Sequence, residues 1–176
     1  MLYILANNPN YNFRDLSIEK DDILYFLNTA IGFKLYRKFK NEMFLFVRNK
    51  TNGYWNNKNT YKNKYKCVTF LPSYNSTSDK KQNDIYFKKF SDEKQMICRD
   101  TILRYIPTEY LKQFKKKEPS TGFMLYWFLR HDHTKDDIKL VGFTGTNEDN
   151  INKKNWYGHN FDLEQFIYEE INQKII

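Results

Sequence analysis

Short apolar runs alternate with longer mixed stretches along this chain. Residues 2–6 (Leu-Tyr-Ile-Leu-Ala), 23–27 (Ile-Leu-Tyr-Phe-Leu), 43–47 (Met-Phe-Leu-Phe-Val), 67–71 (Cys-Val-Thr-Phe-Leu) and 138–143 (Ile-Lys-Leu-Val-Gly-Phe) are almost free of charge. Each is too short for a core helix, and continuous apolar runs of that length suit strands covered on both faces. The intervening stretches predict helices over 29–40, 91–105, 108–116, 121–131 and 162–171, with a short helical turn within 13–18. Phe161, Leu163, Phe166, Ile167 and Ile171 recur near helical spacing and give the last helix an apolar side. Strands alternating with helices predict an α/β fold: one Rossmann-like domain over 1–176, with a mainly parallel sheet flanked by helices. Residues 50–65 and 73–84 are polar and irregular, as expected of surface loops, either of which could border a binding site.

Composition modifies this picture little. Aromatic residues make up 18% of the chain, enough to anchor a real core in 176 residues. The formal charge is 29 − 21 = +8, which suits nucleic acid, an anionic membrane face or a negatively charged small substrate. Lys, Asn, Ile, Tyr and Phe are all abundant together, so the basicity is permissive rather than diagnostic. Cys67 and Cys98 lack metal-ligand spacing and fit a reducing compartment. The opening apolar run is too short for a signal sequence, and no run reaches membrane-spanning length. The expected location is cytoplasmic, with room for peripheral contact at the inner membrane face.

Candidate chemistry gathers where strands end. In an open parallel sheet, ligands bind beyond the carboxyl ends of the strands. Three predicted strands end at or near an asparagine: Asn7 (followed by Asn8), Asn28 and Asn49. Side-chain amides donate and accept hydrogen bonds without adding charge, as recognition of ribose, phosphate or sugar requires. Ser120 and Thr121 stand where the 121–131 helix should begin, and Gly122 permits close approach to its first turn. Unpaired N–H groups and a partial positive charge make such a helix start an anion site. Near the end, His159 follows Gly158 and precedes the last helix; an imidazole there can accept a hydroxyl proton. His131 and His133 flank Asp132, but nothing in the sequence nearby completes a metal site, and none is expected.

Taken in order, these residues resemble the sialyltransferases. Ile4-Leu5-Ala6-Asn7-Asn8-Pro9-Asn10 resembles the family's opening strand and its turn, and Phe26-Leu27-Asn28 the end of that first motif. Phe46-Val47-Arg48-Asn49 is similar to the next strand and its terminal asparagine in the bacterial lipooligosaccharide enzymes. Pro119-Ser120-Thr121-Gly122-Phe123, followed by Ile138-Lys139-Leu140-Val141-Gly142-Phe143, resembles the second motif. Tyr157-Gly158-His159 resembles the turn that carries the catalytic base, and His159 with Glu164 has the spacing of the His–Glu motif of the animal family. The resemblance implies an inverting, metal-independent glycosyltransferase. It would move sialic acid, or a related acid sugar, from a CMP-sugar donor to a glycan or lipooligosaccharide hydroxyl, with no further cofactor. His159 would be the general base. Asn7, Asn8, Asn28, Ser120, Thr121 and Gly122 would hold the nucleotide, and Asn49 would sit near the donor sugar. Residues 144–155 contain no tyrosine where the resembled family has a tyrosine-bearing lid; Trp156 or Tyr157 would take that place against the donor phosphate.

Two other function classes fit the same sequence. A basic nucleic-acid-binding module would use the Lys- and Tyr-rich stretch 50–65 for phosphate contact and stacking, although no nucleic-acid motif accompanies it and no nucleic-acid partner is expected. A degenerate transferase fold would bind nucleotide or glycan without turnover.

Overall fold

A computed structural model of the chain describes residues 1–6, 8, 11–28, 40–47, 65–71, 93–144 and 158–176. Six strands form one sheet: β1 (Leu2–Leu5), β2 (Ile23–Leu27), β3 (Met43–Val47), β4 (Cys67–Phe70), β5 (Lys94–Met96) and β6 (Ile138–Val141). Their spatial order is β5-β4-β3-β2-β1-β6, and every neighbouring pair is parallel. The predicted α/β, Rossmann-like sheet is therefore present. The chain steps outward from β1 to β5 and then returns to place β6 on the other side of β1. That reversal leaves a crevice between the carboxyl ends of β1 and β6, the usual position of a ligand in open sheets.

Both faces of the sheet are apolar, which explains the uninterrupted hydrophobic runs. Along β1, Leu2 and Ile4 point into one core with Phe123, Tyr126, Ile167 and Tyr168, whereas Tyr3 and Leu5 point into another with Phe13, Phe26 and Leu45. The first core is roofed by α1 (Arg99–Leu103), α2 (Thr108–Leu111, extended by a 3-10 turn over Lys112–Phe114), α3 (Thr121–Leu129) and α4 (Phe161–Glu170). Helix α3 is buried almost all round, so its residues need no polar stripe.

Several predicted boundaries shift. The helix expected over 91–105 divides into β5, a short link and α1. Lys-Gln-Met is a short polar strand at one edge of the sheet, with Gln95 and Met96 exposed, and it offers no apolar run to read. The helix over 108–116 tightens after Leu111 into its 3-10 turn, and the turn expected in 13–18 is the 3-10 turn Phe13–Asp15. In α4 the buried face is Glu164, Ile167 and Tyr168, while Phe166 is 55% exposed. The tail runs along β6: Ile176 N–H donates to Leu140 O and Gly142 N–H to Ile176 O. The helix predicted over 29–40 lies, except for Lys40, outside the described residues, as do the loops 50–64 and 73–84. Among the described residues, no helix is long and apolar enough to cross a membrane.

Candidate functional site

The crevice is stitched across its floor. Ala6 N–H donates to Val141 O at 2.9 Å, which continues the β1–β6 ladder one step past the strands. Asn8 then spends its amide nitrogen on Gly142 O and Thr144 Oγ1, each at 3.1 Å. Gly142 has φ +74°, and a Cβ there would lie 3.2 Å from the Tyr11 ring. Only glycine adopts that backbone without strain, so the chain turns here and carries Phe143 back over the sheet. Burial pushes the Tyr11 phenol up, with Asp15 adding to the effect.

On the other side of β1, β2 ends at Asn28 in the left-handed region, φ 44°, a conformation asparagine tolerates better than most residues. Its N–H donates to Phe46 O at 2.8 Å, and its side-chain amide reaches Thr121 Oγ1 at 3.4 Å. The end of β2 is thereby tied to the first turn of α3. Helix α3 begins as its sequence predicts: Ser120 is the cap, with Oγ accepting from Phe123 N–H at 3.1 Å. Thr121 and Gly122 N–H lie ahead of the first helical bond, Met124 N–H to Ser120 O, and so have no acceptor within the helix.

Two features of this helix start go beyond the sequence reading. The first is Glu164, 2% exposed, whose Oε1 accepts from Ser120 N–H at 2.6 Å and Oε2 from Ser120 Oγ–H at 2.7 Å. A carboxylate is thus already seated beside the positive end of α3. The second is the group above Gly122: a Cβ would lie 2.4 Å from Phe143 Cε1 and 3.1 Å from Leu27 Cδ1. The close approach that Gly122 permits is made by the Phe143 ring. The sequence marks Glu164 only through its His–Glu spacing from His159; its place on the α4 face with Ile167 and Tyr168, three and four residues on, is what buries it, and no comparable signal marks the Phe143 ring over Gly122.

His159 belongs to the same neighbourhood. Glu118 N–H donates to Gly158 O at 2.8 Å, and His159 Nδ1 lies 2.8 Å from Glu118 O. A carbonyl can only accept, so His159 Nδ1 carries the proton of this contact. The ring packs edge-on to Phe161, 5.5 Å between centroids. Asn160 caps α4, and Gln165 donates to Phe143 O at 3.3 Å, joining α4 to the end of β6. Glu118 is itself held by Arg99 at 3.3 Å.

Asn8, Asn28, Ser120, Thr121, Gly122 and His159 therefore sit on elements that meet at one end of the sheet. Asn8 and Asn28 direct amide donors at protein acceptors, while Ser120 and Thr121 are buried. Asn7, Asn49 and Tyr157 lie outside the described residues. His131 and His133 are at the opposite end of α3, and among the described residues no three His, Cys, Asp or Glu side chains are grouped to hold a metal ion. Compared with known protein families, curated proteins and solved structures, the chain matches none.

Proposed function

We propose that this chain is a sialyltransferase-like glycosyltransferase that moves an acid sugar from a CMP-activated donor to a glycan hydroxyl, such as one on lipooligosaccharide. The observation that carries the reading is the pairing of His159 with Glu118, two residues ahead of the Ser120 cap. It brings an oriented base close to a helix start suited to a phosphate, on the crevice edge of the sheet. In this mechanism Nε2 of His159 takes the acceptor hydroxyl proton as the oxygen attacks the anomeric carbon. The bond from that carbon to the phosphate oxygen breaks on the opposite face, the configuration inverts and CMP leaves. First-turn N–H groups of α3 stabilise the departing phosphate. The test is turnover of CMP-sialic acid, measured as CMP release with and without a glycan acceptor. His159→Ala should lower the rate by about 10²–10⁴-fold; a variant turning over within threefold of the parent chain would remove His159 from the mechanism.

A second reading is favoured by Glu164 and Phe143. With a carboxylate on the Ser120 cap and a ring over Gly122, part of the anion-binding capacity of α3 is already used. A protein that binds nucleotide or glycan without transfer fits these two contacts. CMP binding without CMP release from the donor would select it.

A further inference from the structure

A second cleft lies at the other end of α3, roughly 13 Å along the helix from Ser120 at 1.5 Å per residue. Its volume is about 450 Å3, and its lining is Arg104, Tyr105, Trp127, Arg130 and His131. Arg104 and Arg130 are the residues that close α1 and α3, so two helix carboxyl ends meet here. Among the described residues the lining holds two guanidiniums and no carboxylate. The neighbouring acid Asp132 is 78% exposed, with Oδ1 4.0 Å from His131 Nε2.

Cations at helix carboxyl ends complement the helix dipole, and that alone would account for two arginines. It does not account for their unspent donors or for the rings beside them. The guanidinium of Arg104 is exposed and, among the described residues, has no hydrogen-bond or ion-pair partner. Arg130 donates through Nη1 to His133 O, yet its Nε–H and the Trp127 indole N–H meet no acceptor although both are shut away from water. The rings are held in place: Tyr105 packs edge-on to Phe128 at 5.2 Å and to His131 at 5.1 Å, and Trp127 lies 5.6 Å from Tyr110.

Guanidinium forks match the oxygens of a phosphate, and aromatic faces accept flat rings or the apolar face of a sugar. The cavity volume falls in the range of small-molecule sites, roughly 300–1,000 Å3. We propose that this cleft binds a phosphate monoester carried on a ring, with Arg104 and Arg130 on the phosphate and Tyr105 and Trp127 against the ring. The site is independent of the transferase reading, which concerns the opposite end of α3. Nucleoside monophosphates and sugar phosphates share the required chemistry.

The experiment is a titration of the isotope-labelled full chain with adenosine monophosphate, glucose 6-phosphate and inorganic phosphate, following the Trp127 indole and Arg130 Nε–H signals by NMR. At least one ring-bearing phosphate should shift both signals saturably and bind about tenfold more tightly than inorganic phosphate; which one does so identifies the source. Arg104→Gln should weaken that binding about tenfold, as expected for loss of a charge-assisted hydrogen bond. The fold should survive, because the Arg104 side chain has no partner to lose among the described residues. Equal affinity for all three probes, unchanged binding in Arg104→Gln, or shifts confined to Gly122 and His159 would each overturn the proposal.

Discussion

Glu164 is the residue on which two parts of the candidate site converge. Its two oxygens accept from the N–H and the hydroxyl of Ser120 at the start of α3, and its own helix, α4, is preceded in the chain by His159 and Asn160. Removing the carboxylate leaves two buried donors unsatisfied, and bonds to a charged acceptor are worth about 1.5–3 kcal/mol each. Glu164→Ala should therefore cost about 3–6 kcal/mol of unfolding free energy, with Glu164→Gln between it and the parent chain. Urea unfolding measures this, and a loss under about 0.5 kcal/mol would show that Ser120 finds another partner. The identity of such a residue is hard to read in sequence. A lone glutamate near a helix start reads as a solvated first-turn acid, and only its register with Ile167 and Tyr168 places it inside.

At the scale of elements, the account rests on how α3 meets β2 and β6. Gly122 is required by the Phe143 ring, not by backbone strain: no positive φ is found there. Gly122→Ala should cost about 1–3 kcal/mol, the usual range for overpacking, and Gly122→Ala with Phe143→Ala should cost less than the two single changes summed. Additive effects in a double-mutant cycle by thermal unfolding would separate the two residues. The strands β1, β2, β3, β4 and β6 were legible because a sheet buried on both faces leaves uninterrupted apolar runs. Helix α3 was legible through its serine cap. Strand β5 was not, since its three residues, Lys-Gln-Met, leave Gln95 and Met96 exposed and form no apolar run, unlike β6 at the other edge. The apolar set expected on α4 included Phe166, which is exposed, and omitted Tyr168, which is fully buried. Spacing alone does not separate a core tyrosine from an exposed phenylalanine.

The molecule as a whole buries phenols that hold their protons. Burial raises Tyr126 to about 12 from an ordinary value of 10.0, and Tyr168 rises in the same direction through burial and then Glu164. A folded-state value above the unfolded one means that these groups contribute stability that is fully present below pH ~10 and is lost as pH rises toward ~12. Tyr126→Phe should start lower, by about 1 kcal/mol for the lost bond to Gln173, and then fall less steeply than the parent chain across that window. Parallel slopes in alkaline urea titrations would refute the linkage. At neutral pH both phenols are neutral, so the positive charge of the chain, +8 overall, is available to attract anions to either end of α3.

The most direct test of the candidate site is a CMP titration of the isotope-labelled chain, read at the backbone amides of Thr121 and Gly122, the side-chain amides of Asn8 and Asn28, and the ring of His159. The expected result is a saturable set of shifts at these residues, enhanced in Phe143→Ala and titrating separately from any second set around Arg104 and Arg130. Absence of saturable binding, or shifts only around Arg104 and Arg130, would contradict a nucleotide site at the carboxyl edge of the sheet.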